Sequence, residues 1–336
     1  MKVKTVYIEI TNRCNLNCRT CYNRSGLNRQ TVEVSADKLR GIISLFEGYG
    51  AKRFLISGGE PTLHSDFDAI LDIIDERPDL SFGFVTNGTC RNERFIELLN
   101  TRENVTLQIS LDGSCEEENA KTRGAGHFER TMEFVRMMKN PSQKPLLKMV
   151  ISRNNLSDVE SFYRMAVAEG CIPEYAFIYK SGNGSEDWEN KCLSAQEKVK
   201  VLTLVDRLNG EYGVSAFLPR CTSKCPYASP DAELSICVKS DGSIQPCQAL
   251  YAPEYTLGNT FDFNAEIFEA NARKMLNTAR ERTRTDFGCQ KCLLKNACGH
   301  GCMAEAANLT GDPLGNDDGC LFRKLQFLNY DLRKQI

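Results

Sequence analysis

The stretch Cys14-Asn15-Leu16-Asn17-Cys18-Arg19-Thr20-Cys21 decides how this chain folds and what it can do. It sets three thiols in one short loop, spaced C-x3-C-x2-C, directly after an alternating run from Thr5 to Thr11 that predicts a strand. Three thiolates can hold three corners of a cubic iron–sulfur cluster and leave one iron without a protein ligand. A structural metal site is normally closed by a fourth protein ligand. The spacing therefore points to chemistry at an open iron. Zinc completed by a distant His or Cys, and pairwise oxidation of the thiols, are the competing readings.

Outward from this loop, strand-like and helix-like runs alternate. Strands are predicted at 6–10, 53–57, 81–86, 106–110, 147–151 and 175–179, and helices at 36–48, 66–76, 92–99, 128–138 and 158–168. Such alternation implies an α/β fold with parallel strands and crossover helices. Six units predict a partial (β/α)6 TIM-like barrel, open on one side. Active sites in barrels sit at the C-terminal strand ends, where the cysteine loop falls.

The second strand ends in Ser57-Gly58-Gly59-Glu60-Pro61-Thr62. Two glycines let a backbone come close to a ligand, and Glu60 offers a carboxylate to an ammonium group; a plain turn is the alternative. No Gly-Lys-Ser/Thr follows, so this is not a P-loop. The next two strands end at Thr86-Asn87-Gly88 and Ser110-Leu111-Asp112-Gly113. Asn87 and Ser110 thus reach the same rim, with turn capping as their competing role. His64 and His127 have no motif partner and read as structural.

Hydrophobic content of 41% and charged content of 26% are ordinary for a globular protein. A net charge of −2 gives no basic surface for nucleic acid or anionic lipid. No apolar run approaches the ~18 residues that span a bilayer, and the N-terminus lacks a signal-peptide core. A cytoplasmic protein without nucleic-acid or membrane partners is expected. In that reducing setting, sixteen cysteines read as metal ligands rather than disulfides.

Residues 180–189 are rich in Gly, Ser and charge and read as a linker, followed by a helix at 194–208. Beyond Arg220 cysteines crowd together: Cys221, Cys225, Cys247 after a hairpin-like Asp241-Gly242, then Cys289-x2-Cys292-x5-Cys298-x3-Cys302, and Cys320. Two zinc sites of four thiolates each are compatible with these spacings.

Taken together, these motifs resemble the radical S-adenosylmethionine (SAM) enzymes that carry a C-terminal SPASM extension, of the peptide- and protein-modifying maturase type. One departure is Thr20, where the family usually has an aromatic; Tyr22 follows instead. The resemblance implies a radical SAM core at 1–185, a linker and bridging helix at 186–215, and a SPASM domain at 216–336. It implies three 4Fe-4S clusters and SAM. Cys14, Cys18 and Cys21 would hold the SAM cluster. Gly58, Gly59, Glu60, Pro61, Asn87, Ser110 and Arg123, the last within Lys121-Thr122-Arg123-Gly124, would contact SAM. Cys225, Cys247 and Cys302, with Cys221 as fourth ligand, would hold auxiliary cluster I; Cys237 competes with Cys221 but sits in an alternating run where it reads as a small apolar residue. Cys289, Cys292, Cys298 and Cys320 would hold auxiliary cluster II.

The reaction so implied is hydrogen abstraction from a peptide or protein side chain by a 5′-deoxyadenosyl radical. Auxiliary clusters suit a following oxidation, such as a crosslink or dehydrogenation. Alternatives are a dehydrogenase, decarboxylase or epimerase acting on a small metabolite or peptide, and a zinc-stabilised binding module. Sulfatase maturases carry an Asp directly after the cysteine matching Cys247; Gln248 stands here, which argues against that branch. A flavodoxin- or ferredoxin-type reductant is the expected electron donor. Only 13 residues precede Cys14, so a separate leader-peptide-binding protein, or a substrate without a leader, is expected. Of the spare thiols Cys90, Cys115, Cys171, Cys192 and Cys237, one could serve as a hydrogen-atom donor, as in radical epimerases.

Overall fold

The computed structural model describes residues 1–26, 30–140, 143–216, 225, 227, 233–250, 252–285, 287–294, 298 and 301–333. The alternation read from the sequence is realised. Its elements are β1 (Lys2–Thr11), α1 (Ala36–Gly48), β2 (Arg53–Gly58), α2 (Phe67–Asp75), β3 (Ser81–Thr86), α3 (Glu93–Thr101), β4 (Val105–Ser110), α4 (Glu116–Arg123), α5 (His127–Arg136), β5 (Leu146–Ile151), α6 (Val159–Ala168) and β6 (Ile172–Phe177). Strands β1 to β6 pair in sequence order, each parallel to the next. On β1, Val6, Ile8 and Ile10 are fully buried, while Tyr7 between them lines the central cavity. Each such apolar side chain contributes roughly 1.5–3 kcal/mol of burial. Helix starts follow the local chemistry: the Ser35 hydroxyl accepts from Lys38 N at α1, and the Asn92 side chain accepts from Phe95 N at α3. Between the helices and the sheet, Phe95 packs edge-on against Phe67 and Phe84, with ring centroids 5.3 and 4.7 Å away.

Three features differ from the sequence expectation. β6 begins at Ile172, three residues before the predicted start, and includes Pro173. It is the edge strand of the sheet, where a residue without an N–H costs no ladder bond. Helix α4 was not predicted: of its residues only Asn119 and Thr122 are buried, so it carries no apolar periodicity. The supposed linker is packed structure, a 3-10 turn (Gly182–Ser185) and a one-turn helix α7 (Trp188–Lys191).

After α8 (Ala195–Tyr212), which opens on a Ser194/Glu197 capping box, the chain returns to the sheet. β7 (Glu233–Val238) pairs parallel to β1, and β8 (Ser243–Gln245) and β9 (Gly258–Asn259) add antiparallel. The strand order is β6-β5-β4-β3-β2-β1-β7-β8-β9. One sheet therefore runs from the barrel into the cysteine-rich half. Helices α9 (Ala265–Thr285), α10 (Phe287–Gln290), α11 (Met303–Thr310) and α12 (Cys320–Arg333) complete that half. Among the described residues no helix is long and apolar enough to cross a membrane.

Candidate active site

The cysteine loop leaves β1 at Thr11 and is held by its neighbours on three sides. The first is the turn after β2. Gly59 N donates to Thr11 O and Glu60 N to Arg13 O, both at 2.7 Å. A Cβ on Gly58 would stand 2.3 Å from Thr11 O, and one on Gly59 2.0 Å from Arg13 O. Both glycines line the cavity, but the close approach that demands them is to the stem of the cysteine loop. The second holder is the segment read as a linker. Asn183 N donates to Cys21 O at 2.8 Å and Asn183 Nδ2 to Cys18 O at 2.9 Å. The Ser181 hydroxyl donates to Tyr22 O, and Lys191 Nζ to Arg19 O. The third is the end of α4, where Thr122 O accepts from Arg19 N and Arg123 Nη1 lies 3.9 Å from Cys18 Sγ.

Glu60 has a different place from the one expected. Its carboxylate is buried and accepts from Thr62 N, Thr62 Oγ1, Thr86 Oγ1 and Asn87 N. It is not among the cavity-lining residues, and nor is Pro61. Burial raises its pKa, opposed by those hydrogen bonds. The side chain so ties the ends of β2 and β3 together. Asn87 lines the cavity and donates through Nδ2 to Asn15 Oδ1 of the cysteine loop at 2.8 Å. Its backbone oxygen is within 2.8 Å of His127 Nε2. His127 is fully buried, and burial pushes its pKa down to about 3, so the ring stays neutral. His64 also has a structural place, with Nε2 2.9 Å from Val34 O. Ser110 and Arg123 line the cavity, and Arg123 Nε makes a 2.9 Å ion pair with the buried Asp112.

The cavity itself measures about 1050 Å³. Two groups of thiols line it: Cys14, Cys18 and Cys21, and, from the C-terminal half, Cys225, Cys247 and Cys302. The lining also includes Tyr7, Gln108 and Lys148 from β1, β4 and β5, and Gln248 next to Cys247. Lys148 Nζ pairs with Glu174 Oε1 at 2.8 Å. Burial pushes the Tyr7 phenol up to about 12, so it remains a donor at neutral pH. A second, small cavity is lined by Cys289, Cys292, Cys298 and Cys320. Cys221 lies outside the described residues. Cys237 is buried, and neither it nor Cys90, Cys115, Cys171 or Cys192 lines either cavity.

These thiols fit iron–sulfur clusters. Burial pushes Cys14 and Cys302 up to about 12 and Cys18 and Cys247 up to about 11, so a bound cation is what would ionise them. Backbone N–H groups already face sulfur, from Leu16 to Cys14 and from Ala249 and Leu250 to Cys247. Zinc would draw its thiolates to about 2.3 Å from one point. Among the described residues no three Cys, His, Asp or Glu side chains gather so as to hold a single ion; the thiols stand around open volumes instead.

Sequence reasoning missed Asn15, Thr86, Asn183, Lys191, Asp317 and Arg323. Asn15 and Thr86 lie inside quoted motifs but at positions whose spacing carries no ligand role, and the one signal for Asp317 and Arg323 is that each sits three residues from Cys320.

Residues 8–166 match the Radical SAM superfamily. The mycofactocin maturase MftC of Mycolicibacterium smegmatis is 26% identical over 324 residues, covering 93% of this chain and 81% of MftC. The AdoMet-dependent heme synthase of Methanosarcina barkeri is 24% identical over 355 residues, covering 94% of this chain and 95% of the synthase. Among solved structures, anSMEcpe with bound AdoMet and Cp18Cys peptide shares the fold with a TM-score of 0.78 at 18% identity, over 99% of this chain and 98% of that one. The chain therefore carries a radical SAM domain in a SPASM-type fold. It is a radical SAM enzyme, with SAM and an iron–sulfur cluster as cofactors.

Proposed function

We propose that this enzyme modifies a side chain of a ribosomal peptide or protein by a net oxidation and holds three four-iron clusters. The observation that carries this reading is one cavity lined both by Cys14, Cys18 and Cys21 and by Cys225, Cys247 and Cys302. When bound, the first cluster would supply the electron that splits SAM into methionine and a 5′-deoxyadenosyl radical, which takes a hydrogen atom from the substrate. Cys14, Cys18 and Cys21 would hold that cluster. Gly58, Gly59, Asn87, Ser110 and Arg123 line the wall where SAM would lie, and Glu60 braces that wall by accepting from Thr86 Oγ1 and Asn87 N. Cys225, Cys247 and Cys302, with Cys221, would hold the nearer auxiliary cluster. Cys289, Cys292, Cys298 and Cys320 would hold the distal one. Thiolate clusters cover a wide range of potentials, which suits them to receive the second electron of an oxidation. Tyr7 and Gln248 offer polar groups but no base at neutral pH, which leaves the formylglycine reaction without its Asp. A flavodoxin- or ferredoxin-type protein would supply the electrons, with a separate leader-binding protein for leader-bearing substrates.

A second reading, oxidation of a small metabolite, is favoured by the full-length match to a heme synthase. One experiment separates them. Anaerobically reconstituted protein with dithionite and SAM should release 5′-deoxyadenosine, and deuterium from a labelled peptide should appear in it. Deuterium arriving only from a labelled metabolite selects the second reading, and no 5′-deoxyadenosine at all rejects both.

A further inference from the structure

The two cysteine groups of the C-terminal half are joined by a buried ion pair that neither motif contains. Arg323, one turn into α12, donates through Nε to Cys298 Sγ at 3.1 Å. Its Nη1 and Nη2 donate to Asp317 Oδ2 and Oδ1 at 2.9 and 2.5 Å, a fork on a carboxylate. Asp317 Oδ2 also accepts from Cys302 N at 2.7 Å. The path Cys298–Arg323–Asp317–Cys302 thus runs from one group of thiols to the other. Arg323 lines the small cavity and the large one alike.

The pair is expensive to keep. The side chains are only 6% and 2% exposed, and desolvating two charges costs several kcal/mol per ion before their attraction offsets it. The backbone is shaped to admit them. A Cβ on Gly301 would stand 1.9 Å from Asp317 Oδ2, and one on Gly319 2.5 Å from Arg323 Nη1. A purely packing role at this spot would be met more cheaply by apolar side chains of similar volume.

We propose that Arg323 is a positioning residue that sets the reduction potential of the distal cluster, and that Asp317 ties this setting to the loop of the nearer one. This rests on the reading that the two cysteine groups carry iron–sulfur clusters. One electron added at the distal site brings one negative charge beside the guanidinium. An N–H on a ligand sulfur and a nearby positive charge both favour that reduced state. Asp317 offsets part of that charge and fixes the direction in which the guanidinium points.

The test is an anaerobic redox titration of the three cluster signals by electron paramagnetic resonance, beside iron analysis, on the full chain. Arg323→Met should lower the midpoint potential of one auxiliary signal, and Arg323→Lys, which keeps the charge, should lower it less. Asp317→Asn keeps an acceptor for Cys302 N but removes the negative charge, and should raise that potential. Opposite signs from the two halves of one pair are not produced by simple loosening of the structure. Full iron with unmoved potentials in all three variants overturns this proposal alone, as do shifts of one sign throughout. Wild-type protein that holds zinc in its C-terminal half overturns the cluster reading and this proposal with it.

Discussion

Gly182→Ala probes the clamp on the cysteine loop most directly. Gly182 sits at φ +54°, and a Cβ there would stand 2.3 Å from the carbonyl oxygens of both Cys21 and Tyr22. The left-handed backbone costs an L-residue about 1–2 kcal/mol, and forcing an extra carbon into a packed site costs about 1–3 kcal/mol. Together these shift the balance between docked and displaced loop by at least about 2 kcal/mol, roughly thirty-fold. The damage is local, because Asn183, Ser181 and Lys191 all act on residues 18–22. The variant should therefore lose the iron held by Cys14, Cys18 and Cys21, which on the proposed three clusters is a fall from about 12 to about 8 iron per chain, and its yield of 5′-deoxyadenosine should fall in step. Gly210→Ala is the control: the residue is in α8 with nothing within 4 Å of its Cβ position, and the change should stabilise by about 0.5–1 kcal/mol. Full iron and wild-type 5′-deoxyadenosine in Gly182→Ala would refute the clamp.

Replacing Cys14, Cys18 and Cys21 together by Ala should abolish SAM cleavage and leave about two-thirds of the iron; loss of all iron would show that the sites are not independent. Cys237→Ser should leave the iron content unchanged, because Cys237 lines neither cavity, whereas Cys247→Ser should lower it; equal losses would make Cys237 a ligand. His127 is held neutral by burial, with its pKa down at about 3, while the unfolded chain takes up a proton near 6.5. Its contribution to stability is therefore whole above pH 6.5 and drains as pH falls toward 3, at up to about 1.4 kcal/mol per pH unit. Denaturant titrations between pH 7 and 5 should show a flatter pH dependence for His127→Gln than for wild type, and parallel curves would sink this assignment.

Much of the barrel was legible because a strand or an amphipathic helix writes its period into neighbouring residues. Where that period was missing, reading failed. Helix α4 buries only Asn119 and Thr122, so nothing marked it as a helix. Residues 180–189 looked like a linker, yet Gly182 is a glycine because a Cβ there would meet the carbonyl oxygens of Cys21 and Tyr22. Glu60 was expected to offer its carboxylate to a ligand, but Thr62, Thr86 and Asn87 already take it. That difference is one of direction, and a turn motif names its residues without saying where each side chain points. Strand β7 was recognisable as an alternating run, but its parallel pairing with β1 was not, since the two are separated by most of the chain.

Spacing among near neighbours thus sufficed for the six barrel strands and for the barrel helices that bury an apolar face, because periodicity and turn chemistry act over a few residues. Closure of the chain decided which partners met. Arg123 reaches Cys18 across 105 positions and Asn183 reaches it across 165, and Arg323 meets the Cys298 thiol while its partner Asp317 accepts from Cys302 N. Such contacts depend on strand register and on approaches of a few tenths of an ångström. No local pattern carries that information; it exists only once the sheet has brought distant segments together.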